Sequence, residues 1–366
     1  MIDELKDIKS NPYKYICNYA EEVLPSTGKD VFTVLALQPP SLIIPPFLSN
    51  GSSIRSNINC FFLAPAGSGK STISRMFMDF AYEPIFIKSI TSAELYSQIS
   101  KKKDCCTLIV DDFAQLSRDI DVIKILESSL GEEKKINRRT RTSSYDEDVN
   151  VCGLLCGVPL DLNVYLSMLS GLIFRCAPIS IVHNIEEHSL IGDKIANGIG
   201  KDHTIKLSQA VKNFYIELAK VQAGENKDIK PIVAYNFKTE HLQRSKEEWK
   251  SLSNSFLQSH PGFSWFREYF DFIRFMIAHA FMNVFNGRAT DGVLTPNDED
   301  FNVAFRLMIR SIRFKYRLIH SDVMANSVRS SEDFYNIMNS KIPSEEEKQY
   351  IRAILSKSKK SRRLNI

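Results

Sequence analysis

Apolar and polar positions along the chain follow two rhythms. Between residues 57 and 183, short continuous apolar runs alternate with helical stretches. After about residue 207 nearly every segment carries the helical period instead. In the first region Ile58–Leu63, Pro84–Ile87, Cys105–Val110, Val149–Cys156 and Leu172–Val182 are predicted as strands. Helices are expected after Gly69, from the Thr91…Glu94 capping box to about Ile99, and over Ile120–Leu130. Strands alternating with helices imply an α/β core with a parallel sheet covered on both faces.

Outside that core the pattern predicts a helix over Tyr13–Leu24. Irregular chain is then expected around Pro39, Pro40, Pro45 and Pro46, with a loop over Ser49–Ser53. Residues 184–206 read as a polar, glycine-containing linker or insertion. Further helices are expected over Leu207–Gln222, from a second capping box at Ser245 and Glu248, over Ser264–Phe285, and over Thr295–Ile319 behind Thr295-Pro296. A last helix is capped at Ser344. The chain divides into an N-terminal segment (1–56), a core (57–183), a helical insertion or linker (184–260), an all-helical unit (261–320) and a C-terminal helix with a basic tail (321–366).

Composition narrows the class. With 366 residues, 43% hydrophobic and 25% charged, the chain is not disordered, collagenous or a coiled-coil rod. Forty-seven Lys and Arg against 43 Asp and Glu give +4, which excludes a histone-like polycation but not local basic patches. The start, Met1–Ser10, is charged and lacks the apolar stretch of a secretory signal. No run of about 20 apolar residues exists; the best, Phe270–Phe285, is broken by Arg274 and His279, so no membrane partner is expected. Seven cysteines without a CxxC pair read as buried thiols in a reducing, cytoplasmic setting, and Cys152 and Cys156 read as core residues.

One segment carries specific chemistry. Ala64-Pro65-Ala66-Gly67-Ser68-Gly69-Lys70-Ser71-Thr72 follows a predicted strand and opens a predicted helix, as a nucleotide phosphate loop requires. Gly67 and Gly69 let successive backbone N–H groups converge on phosphates, and the helix start adds positive partial charge. Residues 66–72 would thus cradle ATP, with Lys70 reaching the terminal phosphates and Ser71 offering its hydroxyl to Mg2+. Ala64 replaces the first glycine of the strict pattern. Asp111 and Asp112 end an apolar strand 41 positions after Lys70. Asp111 would hold the magnesium through water, and Asp112 would polarise the attacking water, standing where the longer Glu is usual.

These motifs resemble AAA+ P-loop ATPases, in a stripped form of the minichromosome-maintenance (MCM) helicase-like branch. Arg175, within Ser170-Gly-Leu-Ile-Phe-Arg-Cys176, is similar to the arginine finger. Arg267-Glu-Tyr-Phe-Asp-Phe-Ile-Arg-Phe-Met-Ile-Ala-His-Ala280 resembles the branch's lid helix, with its two arginines seven apart. The resemblance makes Arg267 the sensor-2 arginine. Val293-Leu-Thr-Pro-Asn-Asp298 resembles the start of the lid's final helix, and Asp111-Asp112-Phe113 the branch's D-E-F. The likeness covers about residues 57–182 and 262–320. It implies a homo-oligomeric ring, hexameric by preference, in which Arg175 and Arg267 complete a neighbour's site. The chain departs from the branch in three ways. No polar sensor-1 residue follows Val149–Cys156, where Asn163 is only a weak substitute. The spacing between the two nucleotide motifs leaves no room for the extra hairpin of replicative helicases. The 56 residues before the core leave no room for the branch's large N-terminal DNA-binding domain either, so none is expected.

The net charge of +4 conceals local patches. Lys134, Lys135, Arg138, Arg139 and Arg141 form a run without a carboxylate, after Glu132 and Glu133. In the resembled rings this connection holds a DNA-gripping hairpin, so these five are candidate phosphate contacts, with a solvated loop as the alternative. Arg306, Arg310, Arg313 and Arg317 form a stripe beside the apolar face of their helix and read first as a solvated flank. The tail from Lys357 to Arg363 reads first as a solubilising end. The expected function is an ATP-hydrolysing motor or initiator acting on DNA. Protein remodelling and a nucleotide-gated scaffold with little turnover are the alternatives. Remodelling is disfavoured because Lys88-Ser-Ile-Thr91 is not an aromatic pore loop.

Overall fold

The structure, a computed structural model, describes residues 2–23, 28–49, 51–65, 67–116, 119–132, 135–139, 144–158, 172, 175–180, 185–196, 201–257 and 265–319. Its strands are β1 (Phe47–Ser49), β2 (Ser52–Ile54), β3 (Cys60–Leu63), β4 (Pro84–Ile87), β5 (Cys106–Val110), β6 (Lys135–Arg139), β7 (Ser144–Asp148), β8 (Val151–Gly157) and β9 (Ala177–Ser180), then three two-residue strands further on. Five of them form a parallel sheet in the order β4-β5-β8-β3-β9. The chain leaves β3 for the far edge at β4, returns through β5 and β8, and crosses β3 to reach β9. The order therefore reverses around β3, and ligands of such sheets bind beyond the carboxyl ends of strands at that point.

Burial follows the sequence. Strands β3, β5 and β8 are buried at every position, as continuous apolar runs covered on both faces demand. Successive side chains point to opposite faces. Cys60 and Phe62 join the core cluster on one face, and Phe61 and Leu63 the cluster on the other. The edges are β4, half-exposed at alternate positions, and β9, which carries Pro178 where a missing N–H is tolerated.

Helices Ser92–Lys101, Phe113–Leu116 and Ile120–Leu130 cover one face. The other is covered by the helix Lys70–Met78 together with N-terminal helices, Lys201–Gln222, Trp265–Met282 and Asp298–Ile319. The N-terminal segment is thus part of one core with segments far along the chain: the Tyr215 hydroxyl donates to the Ala36 carbonyl at 2.8 Å. Among the described residues no helix is long and apolar enough to cross a membrane.

Several boundaries differ from the pattern-based expectation. Pro39 and Pro40 lie inside a helix, Gln38–Ile43, in its first turn, where the absent N–H groups would have had no partner anyway. The expected loop at 49–53 is the turn of the β1–β2 hairpin, with Gly51 at φ 78°. The polar stretch expected as a linker contains the helix Ile185–Ala196, which packs Ile191 against the core. The Ser245 capping box does not start a helix. The helix runs Thr239–Leu257, and the Ser245 hydroxyl bonds back to the Leu242 carbonyl at 2.9 Å. The final helix starts at Asp298 rather than Thr295. Asn297 caps it, accepting from the Glu299 and Asp300 amides, while the Asp300 carboxylate accepts from the Asn297 amide. The last sheet strand is shorter than expected, because Arg175 and Cys176 form the turn before Ala177. The Ser344 helix and the basic tail lie outside the described residues.

Candidate functional site

The candidate phosphate loop leaves the carboxyl end of β3 and enters the helix Lys70–Met78. Gly67 and Gly69 have φ of 79° and 82°, a backbone region that L side chains rarely adopt, so glycine is required at both. A Cβ on Gly67 would meet nothing within 4 Å, so the loop faces open space. Ser68 is buried and turned back on the loop, its hydroxyl donating to the Pro65 carbonyl at 2.8 Å. Ser71 and Thr72 are exposed in the first helical turn. Ala66 lies outside the described residues. The Lys70 ammonium reaches across the strand ends, donating to the Gly157 carbonyl at 3.2 Å and the Ala64 carbonyl at 3.5 Å. The end of β8 offers Lys70 a main-chain oxygen. Asn163 lies outside the described residues.

Asp111 and Asp112 follow β5, one strand beyond β8. The Asp111 amide donates to the Ile87 carbonyl at 3.0 Å, which fixes its backbone at the same carboxyl edge. Its Oδ1 is buried and has no hydrogen-bond partner. A buried carboxylate oxygen left in this way is costly unless something binds it. The charges of Lys70 and Asp111 both act on the buried Cys156 thiol near the end of β8. Burial pushes that thiol up to about 12, with the Ser74 hydrogen bond and the Lys70 charge opposing and the Asp111 carboxylate adding. A cation and an orphaned acid thus share the carboxyl edge of the sheet at the switch of strand order. Such a donor set fits magnesium, which takes one or two carboxylates or hydroxyls and completes its shell with water and phosphate oxygens. Among the described residues no group of three or more His, Cys, Asp and Glu forms a metal site.

Arg175 and Arg267 lie at the other end of the sheet. Arg175 precedes β9, whose first residue pairs with Cys60 at the start of β3. It therefore sits at the amino edge, away from its own phosphate loop. Half-buried, it donates from Nη1 to the Glu127 carbonyl at 3.0 Å. A Cβ on Gly131 would come within 2.6 Å of that carbonyl and 3.0 Å of Nη1, so glycine at 131 is what admits this approach. Arg267 stands near Arg175. Burial lowers its pKa below the ordinary guanidinium value, and the Arg175 charge acts in the same direction.

Around these two lies a charge network that motif reading did not find. Lys315 Nζ donates to Glu268 Oε1 at 2.9 Å, with both side chains fully buried. Arg274 Nη1 donates to Asp271 at 2.8 Å, Nη2 pairs with Glu132, and Nε donates to the Arg55 carbonyl at 2.9 Å. Arg55 donates to the carbonyls of Ser129, Gly131 and Val151 at 2.7, 2.5 and 2.8 Å. The network ties the helices at 265–282 and 298–319 to the amino edge of the sheet. Besides Arg274 within the lid-like segment, the sequence signal was polar residues at Arg55, Asn57 and Asn59 around the start of an apolar strand. Asn59 joins the Leu130 carbonyl and the Gly153 amide.

The cationic run lies on a hairpin. Strands β6 and β7 pair antiparallel, with Lys135 opposite Asp148, Asn137 opposite Asp146, Arg138 opposite Tyr145 and Arg139 opposite Ser144. Its root is anchored by buried Ile136 and by the Tyr96 hydroxyl donating to Glu147 at 2.9 Å. Carboxylates therefore concentrate at the root, and the arginine positions lie toward the tip. Lys134 and Arg141 lie outside the described residues. Within the arginine stripe, Arg310 is more than a solvated flank. Arg310 donates to the Asp30 carbonyl at 3.2 Å, across to the N-terminal helices. In comparisons with known proteins, no family model matches the chain and no curated protein matches its sequence.

Proposed function

We propose that this chain is an AAA+-type ATPase that works as an oligomeric ring, hexameric by preference, on DNA. The observation that carries the reading is the buried, unpartnered Asp111 Oδ1 at the same carboxyl edge of the sheet as the glycine loop and Lys70, whose ammonium donates to the Gly157 carbonyl at the end of β8. The left-handed Gly67 and Gly69 open that loop. In this reading the loop amides and Lys70 bind the triphosphate. Lys70 exchanges its bonds to the Ala64 and Gly157 carbonyls for phosphate oxygens. Ser71 and Asp111 would hold magnesium, Asp111 through water; when bound, the ion neutralises charge on the phosphate oxygens. Asp112 orients the attacking water and draws its proton. Arg175 and Arg267, at the edge remote from their own loop, would reach a neighbour's phosphates. The hairpin with Arg138 and Arg139 would supply salt-sensitive, sequence-independent contacts to DNA.

The test is ATP turnover by the purified chain with and without single-stranded DNA. Lys70→Ala should abolish turnover, and Arg175→Ala should abolish it alone. Mixing the two variants should restore part of it, because a mixed ring contains interfaces with an intact loop beside an intact arginine. Hydrolysis that survives Lys70→Ala would refute the site. Absence of both DNA binding at low salt and DNA stimulation would refute the DNA part. A nucleotide-gated scaffold is the second reading, favoured by the short Asp112 and by a backbone carbonyl, Gly157, next to Lys70. Tight ATP binding with turnover near background would select it.

A further inference from the structure

Between the N-terminal helices Pro12–Val23 and Gly28–Leu35 and the last helix, Asp298–Ile319, lies a cavity of about 420 Å³. It shares no residue with the phosphate loop or with Asp111 and Asp112. Four cations line it, Lys14, Lys29, Arg306 and Arg310, against two carboxylates, Asp30 and Glu299. Both carboxylates are already engaged. Asp30 pairs with Arg310 at 3.5 Å, and Glu299 with Arg288, outside the cavity, at 3.1 Å. Lys29 is held by Glu21 at 3.3 Å. Among the described residues, Lys14 and Arg306 make no ion pair with a carboxylate, and both are exposed. The Arg306 guanidinium stands beside the Tyr13 hydroxyl, which itself donates to the Thr33 carbonyl at 2.9 Å. The floor is apolar and aromatic, formed by buried Leu307 and Tyr13, with the His279 ring edge-on to Tyr13 at 4.8 Å.

We infer that this cavity binds a small organic phosphate monoester. Its volume is that of a small-molecule site. A tetrahedral dianion suits one guanidinium fork plus one ammonium without carboxylate partners, whereas a monocarboxylate would leave one of the two charges unmatched. The apolar floor suits a flat or hydrocarbon substituent on the ester. Because the cavity walls belong to the N-terminal helices and to the helix Asp298–Ile319, the ligand would clamp these elements together and raise the melting temperature, logarithmically with ligand concentration above its Kd.

Phenyl phosphate is the probe, titrated calorimetrically into the full chain in phosphate-free, low-salt buffer, with inorganic phosphate and phenol as separate arms. Wild type and Lys70→Ala should bind phenyl phosphate equally, and more tightly than they bind inorganic phosphate or phenol. The Lys14→Gln/Arg306→Gln variant should bind it at least about tenfold more weakly, while its ligand-free melting temperature stays at the wild-type value. Failure of wild type to bind at millimolar probe would overturn the inference. Binding that is lost in Lys70→Ala and kept in the double variant would do the same, since it would place the phosphate in the loop. Equal affinity for inorganic phosphate would remove the organic part of the assignment.

Discussion

Lys315 is the least expected residue of the core, and replacing it with methionine tests the network at the amino edge of the sheet. Its ammonium lies 2.9 Å from Glu268 Oε1 and 3.8 Å from Asp271 Oδ2, with the three side chains 1%, 2% and 7% exposed. Lys315→Met keeps the volume but removes the cation. Asp271 still has Arg274 at 2.8 Å, whereas Glu268 is left as a buried charge with no cation bonded to it. Breaking a buried pair in this way costs about 3–5 kcal/mol, while replacing both partners by apolar groups is close to neutral. Urea unfolding followed by circular dichroism should therefore show Lys315→Met destabilised by that amount, and Lys315→Met/Glu268→Met mostly recovered. The sign of the pH dependence follows from Glu268. Burial already raises its pKa above the ordinary 4.5, and loss of the Lys315 charge raises it further. A raised carboxyl pKa gives stability that is present below 4.5 and lost as pH rises through the folded value. The variant's deficit should thus shrink at about pH 5 relative to about pH 8. A single-variant cost below about 1 kcal/mol, or a double variant no better than the single, would refute the reasoning.

Other expectations rest on the two edges of the sheet. Asp111→Asn should abolish ATP turnover yet leave stability unchanged or raised by about 1 kcal/mol in thermal unfolding, because the lost charge was buried without a partner for Oδ1. Arg55→Met should destabilise by about 3 kcal/mol or more in urea, since three strand- and loop-end carbonyls lose their donor at once. Cys152, Cys156 and Cys176 are fully buried, and burial pushes each thiol up to about 12. A maleimide at pH 8 should label them at the rate of unfolding rather than of chemistry, and fast labelling of the native protein would contradict the core placement. Arg138→Ala/Arg139→Ala should weaken single-stranded DNA binding and flatten its dependence on salt by about two ions, measured by fluorescence anisotropy at several salt concentrations.

The sheet and the glycine turn that leads into the helix at Lys70 were legible in the residues because their determinants are local. An all-apolar strand such as Cys60–Leu63, a glycine pair that needs positive φ, and a lysine one helical position on are each specified within a few residues. Cap chemistry was legible to the same extent. Thr91 accepts from the Glu94 amide as its spacing predicts, while Ser245 has the same spacing and sits inside a helix. A cap motif offers a hydrogen bond, but the packing of Thr239–Leu257 decides whether the helix ends there.

Sequence by itself determined the α/β core, the placement of Lys70 after a strand, and the paired aspartates at a strand end. Tertiary structure decided what no local pattern encodes: which strand ends are neighbours, and which charges are taken out of water. Lys70 and Asp111 share one carboxyl edge, on either side of β8, only because β8 inserts between β3 and β5. Arg55, Glu132, Glu268, Asp271, Arg274 and Lys315 form one network only because four distant segments close on the amino edge. A lysine reads as a surface residue until a carboxylate from elsewhere in the fold reaches it. Burial and pairing belong to the packed chain, not to the residue.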